Sequence, residues 1–238
     1  MSEFNYYNIF ETKGIEYIIT IVFFILLIPF WIFLNRKSRA VVPVSEMAVK
    51  LDPAYLTAPK GLFYGKNQTW TFLERTGMAK VGLTDLLVQL TGNVNIRLLK
   101  NPGDFVKKGE LFSQIEKDGK TLQLFSPITG RVANCNEQLE KEPILLNNDP
   151  YGLGWLFEVE PENWLAETQT YYMADKAVAW LKSEWIRFKD LVISSAQINV
   201  EGSTQMVMQD GGELVNHTLS DMPEEMWKNF QNDFLNRT

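Results

Sequence analysis

Residues 101–134 read NPGDFVKKGELFSQIEKDGKTLQLFSPITGRVAN. Within them Glu110–Glu116, Leu122–Phe125 and Gly130–Asn134 are short runs of β-type composition. Turn chemistry separates them: Asn101-Pro102-Gly103-Asp104 before the first, Asp118-Gly119 between the first two, Pro127 to Gly130 before the last. Upstream, Thr69–Leu73 and Val94–Leu99 have the same character. Short strands at close spacing, without a helix between each pair, point to an all-β sandwich or barrel and not to a βαβ fold. Thr84 to Leu90 is the exception, a helical turn or two capped by Thr84 with Asp85 in its first turn. Asp118-Gly119 is a favoured type I′ pair, in which both central residues take positive φ. The expectation is a tight hairpin closed by Lys117 and Lys120, both lysines solvated.

Downstream the period changes. Over residues 172–192, Ala177, Leu181, Phe188 and Val192 recur at helical spacing, with Trp180 and Trp185 nearby. A hairpin around Asp210-Gly211 is expected within Val207–Val215. Ser220 or Asp221 is expected to cap a last helix with Pro223 in its first turn. Trp227, Phe230 and Phe234 share the apolar face of that helix, which is either core or a partner-docking face.

Tyr17 to Leu34 reads YIITIVFFILLIPFWIFL, uncharged over 18 residues. At about 1.5 Å per residue it reaches about 27 Å, near the hydrocarbon thickness of a bilayer. Pro29 is tolerated in such a helix, and Trp31 suits its interfacial end. Acidic residues precede the run and no small-residue cleavage site follows, so the expectation is an uncleaved anchor and not a signal peptide. Arg36, Lys37 and Arg39 lie after it against Lys13 before it. The positive-inside rule places the N-terminus outside and the large C-terminal part in the cytoplasm. The expected organisation is an N-terminal segment with a single transmembrane helix over 1–39 (span about 17–34), a linker over 40–60 with Pro43, Pro53 and Pro59, a β domain over 61–172, and a helical and hairpin extension over 173–238.

Composition removes several classes of function. Net charge is −6 with no long basic run, which argues against nucleic acid as a partner. Cys135 and His217 are the only residues of their types. An intramolecular disulfide, a Cys/His zinc site, a bis-histidine haem and a four-cysteine iron–sulfur cluster are therefore excluded. A Ser–His or Cys–His enzyme would have to use His217, which sits in a polar stretch. No catalytic residue and no metal ligand is expected. Nothing basic surrounds Cys135 to mark it as reactive, and a structural role is expected for it.

Several collinear motifs over roughly residues 62–165 resemble the H-protein of the glycine cleavage system. They are Val81-Gly82-Leu83-Thr84-Asp85; Gly103-Asp104 with Val106, Gly109 and Glu110; Ser126-Pro127 with Gly130, Val132 and Asn136; and Asp149-Pro150-Tyr151-Gly152-Leu153-Gly154-Trp155-Leu156. The resemblance implies a mainly β lipoyl-type barrel-sandwich hybrid with flanking helices, here preceded by one transmembrane helix. H-proteins carry lipoate on a hairpin-tip lysine three residues after a glutamate. Aligning Glu116 with that glutamate and Ser126-Pro127 with the family's Ser-Pro requires no gap, and the carrier position then falls on Gly119. Lys117 and Lys120 flank it. The family's His-Glu-Trp becomes Gln68-Thr69-Trp70, which keeps the tryptophan and loses the histidine.

The N-terminal Tyr7-Asn8-Ile9-Phe10-Glu11-Thr12-Lys13 also resembles a small membrane subunit of bacterial Hmc-type redox complexes. That likeness implies an inner-membrane, single-pass scaffold without a cofactor of its own. Its implied partners are membrane lipid, a quinone-binding membrane subunit and iron–sulfur subunits. Two alternatives are a carrier lipoylated on Lys120 that serves a membrane enzyme, and a membrane-fusion adaptor of an export system.

Overall fold

The computed structural model describes residues 9–35, 56–198 and 217–237, with side chains over 17–30, 56–195 and 217–237. The chain divides into two compact units, Met1–Met47 and Ala48–Thr238. In the first, α1 spans Ile9–Asn35, and every described side chain on it, from Tyr17 to Phe30, is exposed. Among the described residues no helix is long and apolar enough to cross a membrane. The described side chains of α1 stop at Phe30, so the uncharged run to Leu34 lies partly beyond them. The expected hairpin over 207–215 and most of the 40–60 linker lie outside the described residues.

The second unit runs, in chain order, β1 (Phe63–Tyr64), β2 (Thr69–Leu73), β3 (Ala79–Leu83), α2 (Asp85–Thr91), β4 (Asn95–Leu98), β5 (Phe105–Val106), β6 (Leu111–Lys117), β7 (Lys120–Phe125), β8 (Gly130–Cys135), α3 (Gln138–Lys141), α4 (Ile144–Asn148), β9 (Trp155–Pro161), α5 (Trp164–Thr168), α6 (Ala174–Ile198) and α7 (Glu224–Phe230), which continues into a π-helical turn over Gln231–Leu235. Six strands pair antiparallel in the order β1-β2-β3-β9-β8-β5, and a second sheet has the order β4-β6-β7. Two antiparallel sheets with helices at their flanks fit the lipoyl-type architecture expected from the motifs.

Alternation explains the core. On β7, Leu122 and Leu124 point inward while Thr121 and Gln123 face out; on β6, Phe112 is buried at a register shift between Leu111 and Ser113, and Ile115 is buried beyond it. Phe112 meets Phe157 of β9 at 5.0 Å between ring centroids, which joins the two sheets. Trp70 of β2 pairs across the strands with Gly82 of β3. Its indole lies so close that a Cβ on Gly82 would sit 2.4 Å from it, so only glycine fits there. The indole N–H donates to the Pro150 carbonyl at 3.1 Å.

Local chemistry sets the connections. Thr84 caps α2 by accepting from the Leu87 N–H at 3.4 Å, and Asp85 stands in the first turn. The Asp149 carboxylate accepts from the N–H groups of Gly152 and Leu153, which fixes the Asp149-Pro150-Tyr151-Gly152 turn. That turn aims the Tyr151 hydroxyl at two partners: it donates to the Thr57 carbonyl at 2.6 Å and accepts from the Asp85 N–H at 3.0 Å. Burial pushes the Tyr151 hydroxyl well above the ordinary tyrosine range, so it serves as a neutral donor.

The last helix departs from expectation at its start. Ser220 and Asp221 do not cap α7; Pro223 occupies that position in extended conformation and no side chain caps the helix. Residues 217–222 are committed elsewhere, since the N–H groups of His217 and Leu219 donate to the carbonyls of Gln89 and Leu90 at the end of α2. Glu224 and Glu225 in the first turn complement the helix dipole instead.

Candidate functional site

The β6–β7 hairpin turns in two residues. Lys117 pairs with Lys120, Asp118 has φ +49° and Gly119 has φ +77°. Two positive φ values in succession define a type I′ turn. Asp118 and Gly119 are exposed at the tip, and no side chain crowds Gly119. Lys117 is half-buried and lines a groove of about 380 Å³ together with Asn93, Asn95, Glu116, Asp118 and Ile144.

Lys120 is not the solvated residue that its hairpin position suggests. Its Nζ donates to the carbonyls of Ser220 at 2.6 Å and Met222 at 2.9 Å. The same ammonium stands 5.2 Å from the centroid of the Trp227 ring. The segment from His217 to Arg237 therefore forms a strap across the hairpin. Gln231 extends the attachment: its Oε1 accepts from the Gln123 N–H at 2.7 Å and its Nε2 donates to the Gln123 carbonyl at 3.1 Å. One side-chain amide thus satisfies both backbone groups of a residue on the free edge of β7, as a neighbouring strand would.

Trp227, Phe230 and Phe234 are each 1% exposed, which corrects the docking-face alternative. Their partners are internal. The Trp227 N–H donates to the Leu219 carbonyl at 2.7 Å. Phe230 and Phe234 stack at 4.7 Å, and Phe188 of α6 meets both edge-on at 5.7 and 6.3 Å. Arg187 covers Phe234 at 4.7 Å while its Nη1 bonds both carboxylate oxygens of buried Glu184 at 2.7 Å. The stripe is therefore core packed by its own chain.

Gln68, at the family's histidine position, is buried with φ +61°. Its Oε1 accepts from the Thr84 hydroxyl at 2.7 Å, while its Nε2 has no partner. Cys135 is half-buried, and its thiol donates to the Lys100 carbonyl at 3.2 Å. Burial, reinforced by Glu137, Asp104 and Glu140, pushes the thiol up to about 11. His217 lies in the strap beside Gly92 at the end of α2. Cys135 and His217 thus serve separate packing roles, and neither meets the other's environment.

Lipoate attachment needs an accessible side-chain amine at the tip. Gly119 carries no amine, and the Lys120 amine is bonded to two carbonyls beneath a tryptophan. Neither of these two positions presents a free amine, while Lys117 stands half-buried on the other side of the tip. Sequence reading missed this anchoring because the acceptors of Lys120 are backbone carbonyls, which leave no trace in residue identity.

Two antiparallel sheets, the glycine-tipped hairpin and the flanking helices define a lipoyl-type domain. The profile of the glycine cleavage H-protein family matches residues 62–184, just over half of the chain. The chain belongs to that family. It is 36% identical over 135 residues to glycine cleavage system H protein 2 of Aquifex aeolicus, covering 56% of this chain and 83% of that one. It is 35% identical over 118 residues to the glycine cleavage system H protein of Psychrobacter cryohalolentis, covering 50% and 93%. The crystal structure of a glycine cleavage system H protein from Mycobacterium marinum is similar at 26% identity and a TM-score of 0.41, covering 44% of this chain and 86% of that one. The family match ends inside α6, so the strap lies beyond it.

Proposed function

We propose that this chain is a non-catalytic, membrane-tethered scaffold subunit in which an H-protein domain has given up its acyl arm. One observation carries the reading: Gly119 stands at the in-register carrier position, and the adjacent Lys120 is consumed by the strap. A swinging arm requires a free, mobile lysine. Here the hairpin anchors the chain's own C-terminal segment.

Support for the tether comes from α1. Ile18, Ile19, Phe23, Phe24, Ile25, Leu26 and Ile28 are all more than half exposed. A helix apolar on every side needs an apolar medium, and the uncharged run to Leu34 has the length for one. The proposed placement is the inner membrane, N-terminus outside and the H-protein domain in the cytoplasm. The proposed partners are the quinone-binding and iron–sulfur subunits implied by the N-terminal likeness.

The names of the relatives favour a second reading, a lipoyl carrier acting through Lys120 after the strap lets go. Purification from native membranes in mild detergent, with intact-mass analysis of the chain and identification of its partners, separates the two. The scaffold predicts unmodified Lys117 and Lys120 with iron–sulfur and quinone-binding subunits bound. A lipoyl adduct on either lysine, or purification free of redox subunits, refutes it.

A further inference from the structure

Segments far apart in sequence meet around one small cavity. The turn after β1 brings Lys66 and Asn67, the turn before β6 brings Lys108, the loop between α5 and α6 brings Thr170 and Tyr171, and the end of the strap brings Arg237. The cavity holds about 50 Å³. That is several times the roughly 10–15 Å³ that one water needs, the scale of a tetrahedral oxyanion. Three of its seven lining residues are cations and none is Asp or Glu, in a chain whose net charge is −6.

The cations are only partly neutralised by their neighbours. Lys108 Nζ donates to the Glu167 carbonyl at 3.0 Å and stands 4.6 Å from the centroid of the Tyr171 ring, both uncharged partners. Burial lowers its pKa, with Glu167 acting in the opposite sense. The Glu167 carboxylate itself is taken up by the Thr129 N–H and hydroxyl. Arg237 comes within 3.7 Å of Glu184, whose two oxygens are already bonded to Arg187. Lys66 is exposed and joins no ion pair among the described residues. Donors remain to spare: Asn67 Nδ2 uses one hydrogen on the Phe125 carbonyl, and Lys108 has two N–H groups beyond its bond to Glu167.

We propose that this cavity binds a small free oxyanion of the phosphate class, held by Lys66, Lys108 and Arg237. A half-buried ammonium and a planar guanidinium fork are groups well suited to hold such an ion. Because Lys66 and Lys108 belong to the β domain and Arg237 to the strap, the ion fastens the end of the strap to the domain. The site is separate from the hairpin, so it stands or falls independently of whether Lys120 is modified.

Titration calorimetry and ³¹P NMR of the whole chain in non-ionic detergent, with inorganic phosphate against chloride at matched ionic strength, test the proposal. Saturable binding of one phosphate per chain is expected. Lys108→Gln and Arg237→Gln should each weaken it about tenfold or more, the worth of one charge-assisted bond. Lys141→Gln, an exposed lysine elsewhere, should bind as the unsubstituted chain does. Circular dichroism of each variant confirms that it is folded. Absence of saturable binding above chloride, or undiminished binding in both folded Lys108 and Arg237 variants, overturns the proposal. A phosphoserine hexapeptide that binds more tightly than inorganic phosphate overturns it as well, by assigning the cavity to a phosphate carried on a chain.

Discussion

Replacing Lys120 with methionine separates an anchor from an arm. Methionine keeps an unbranched apolar stem over Trp227 and removes the ammonium. The change deletes the bonds to the Ser220 and Met222 carbonyls and the contact with the indole face. A hydrogen bond from a charged donor contributes about 1.5–3 kcal/mol, and a cation over an aromatic ring about 0.5–1 kcal/mol at a partly exposed site. Lys120 is half-buried, so the lower ends apply, and the thioether recovers about 1 kcal/mol of apolar burial. The net loss is about 2–3 kcal/mol. Urea unfolding of the 238-residue chain in non-ionic detergent, followed by tryptophan fluorescence, reads this as a midpoint lowered by about 1 M at unchanged slope. Lys117→Met, at the opposite position of the same pair, should stay within about 0.5 kcal/mol. If Lys120→Met also costs less than about 0.5 kcal/mol, the lysine is a solvated hairpin residue and the anchoring argument fails.

Gly82→Ala drives a Cβ to 2.4 Å from the Trp70 ring and should cost about 1–3 kcal/mol, with a weakened near-ultraviolet signal from the displaced indole. Thr84→Ala removes the α2 cap and the side-chain bond of buried Gln68, whose Nε2 is already unpartnered; a loss of about 2 kcal/mol in denaturant unfolding is expected. The Cys135 thiol, raised from 9.0 to about 11, should carry a thiolate fraction roughly a hundredfold below that of an ordinary cysteine at pH 8, and iodoacetamide should label it correspondingly slowly until the chain is unfolded. Because that pKa is raised on folding, its contribution to stability is full below pH 9 and fades as the pH rises towards 11, which unfolding midpoints measured across pH 8–11 would show against Cys135→Ser.

The sheets were legible because their signals are local. Alternation along Leu122–Leu124 and the Asp118-Gly119 pair are properties of a few adjacent residues, and both recur in the structure as a strand and a type I′ turn. β1 and β5 were not, since two residues give no period to read. The stripe of Trp227, Phe230 and Phe234 showed that the last helix would bury one face. It held no address for what lay opposite, and the answer, Phe188 and the hairpin, is set by the course of the whole chain. The Thr84 cap was legible through its hydroxyl, whereas the α7 cap was misread because the candidate hydroxyl of Ser220 belongs to a segment whose backbone is bonded to α2 and Lys120. Chemistry carried by side chains left a trace in the sequence. Chemistry carried by backbone groups across long separations did not.

The strap also places the hairpin in time. Lys120 and Ser220 are 100 residues apart. At a synthesis rate of about 5–20 residues per second, the hairpin leaves the ribosome roughly 5–20 s before the segment that covers it. A nascent chain therefore passes through an interval in which the Lys120 amine stands bare, and after which the strap covers it. An enzyme competing for that amine works against the clock of translation as well as against the stability of the finished fold.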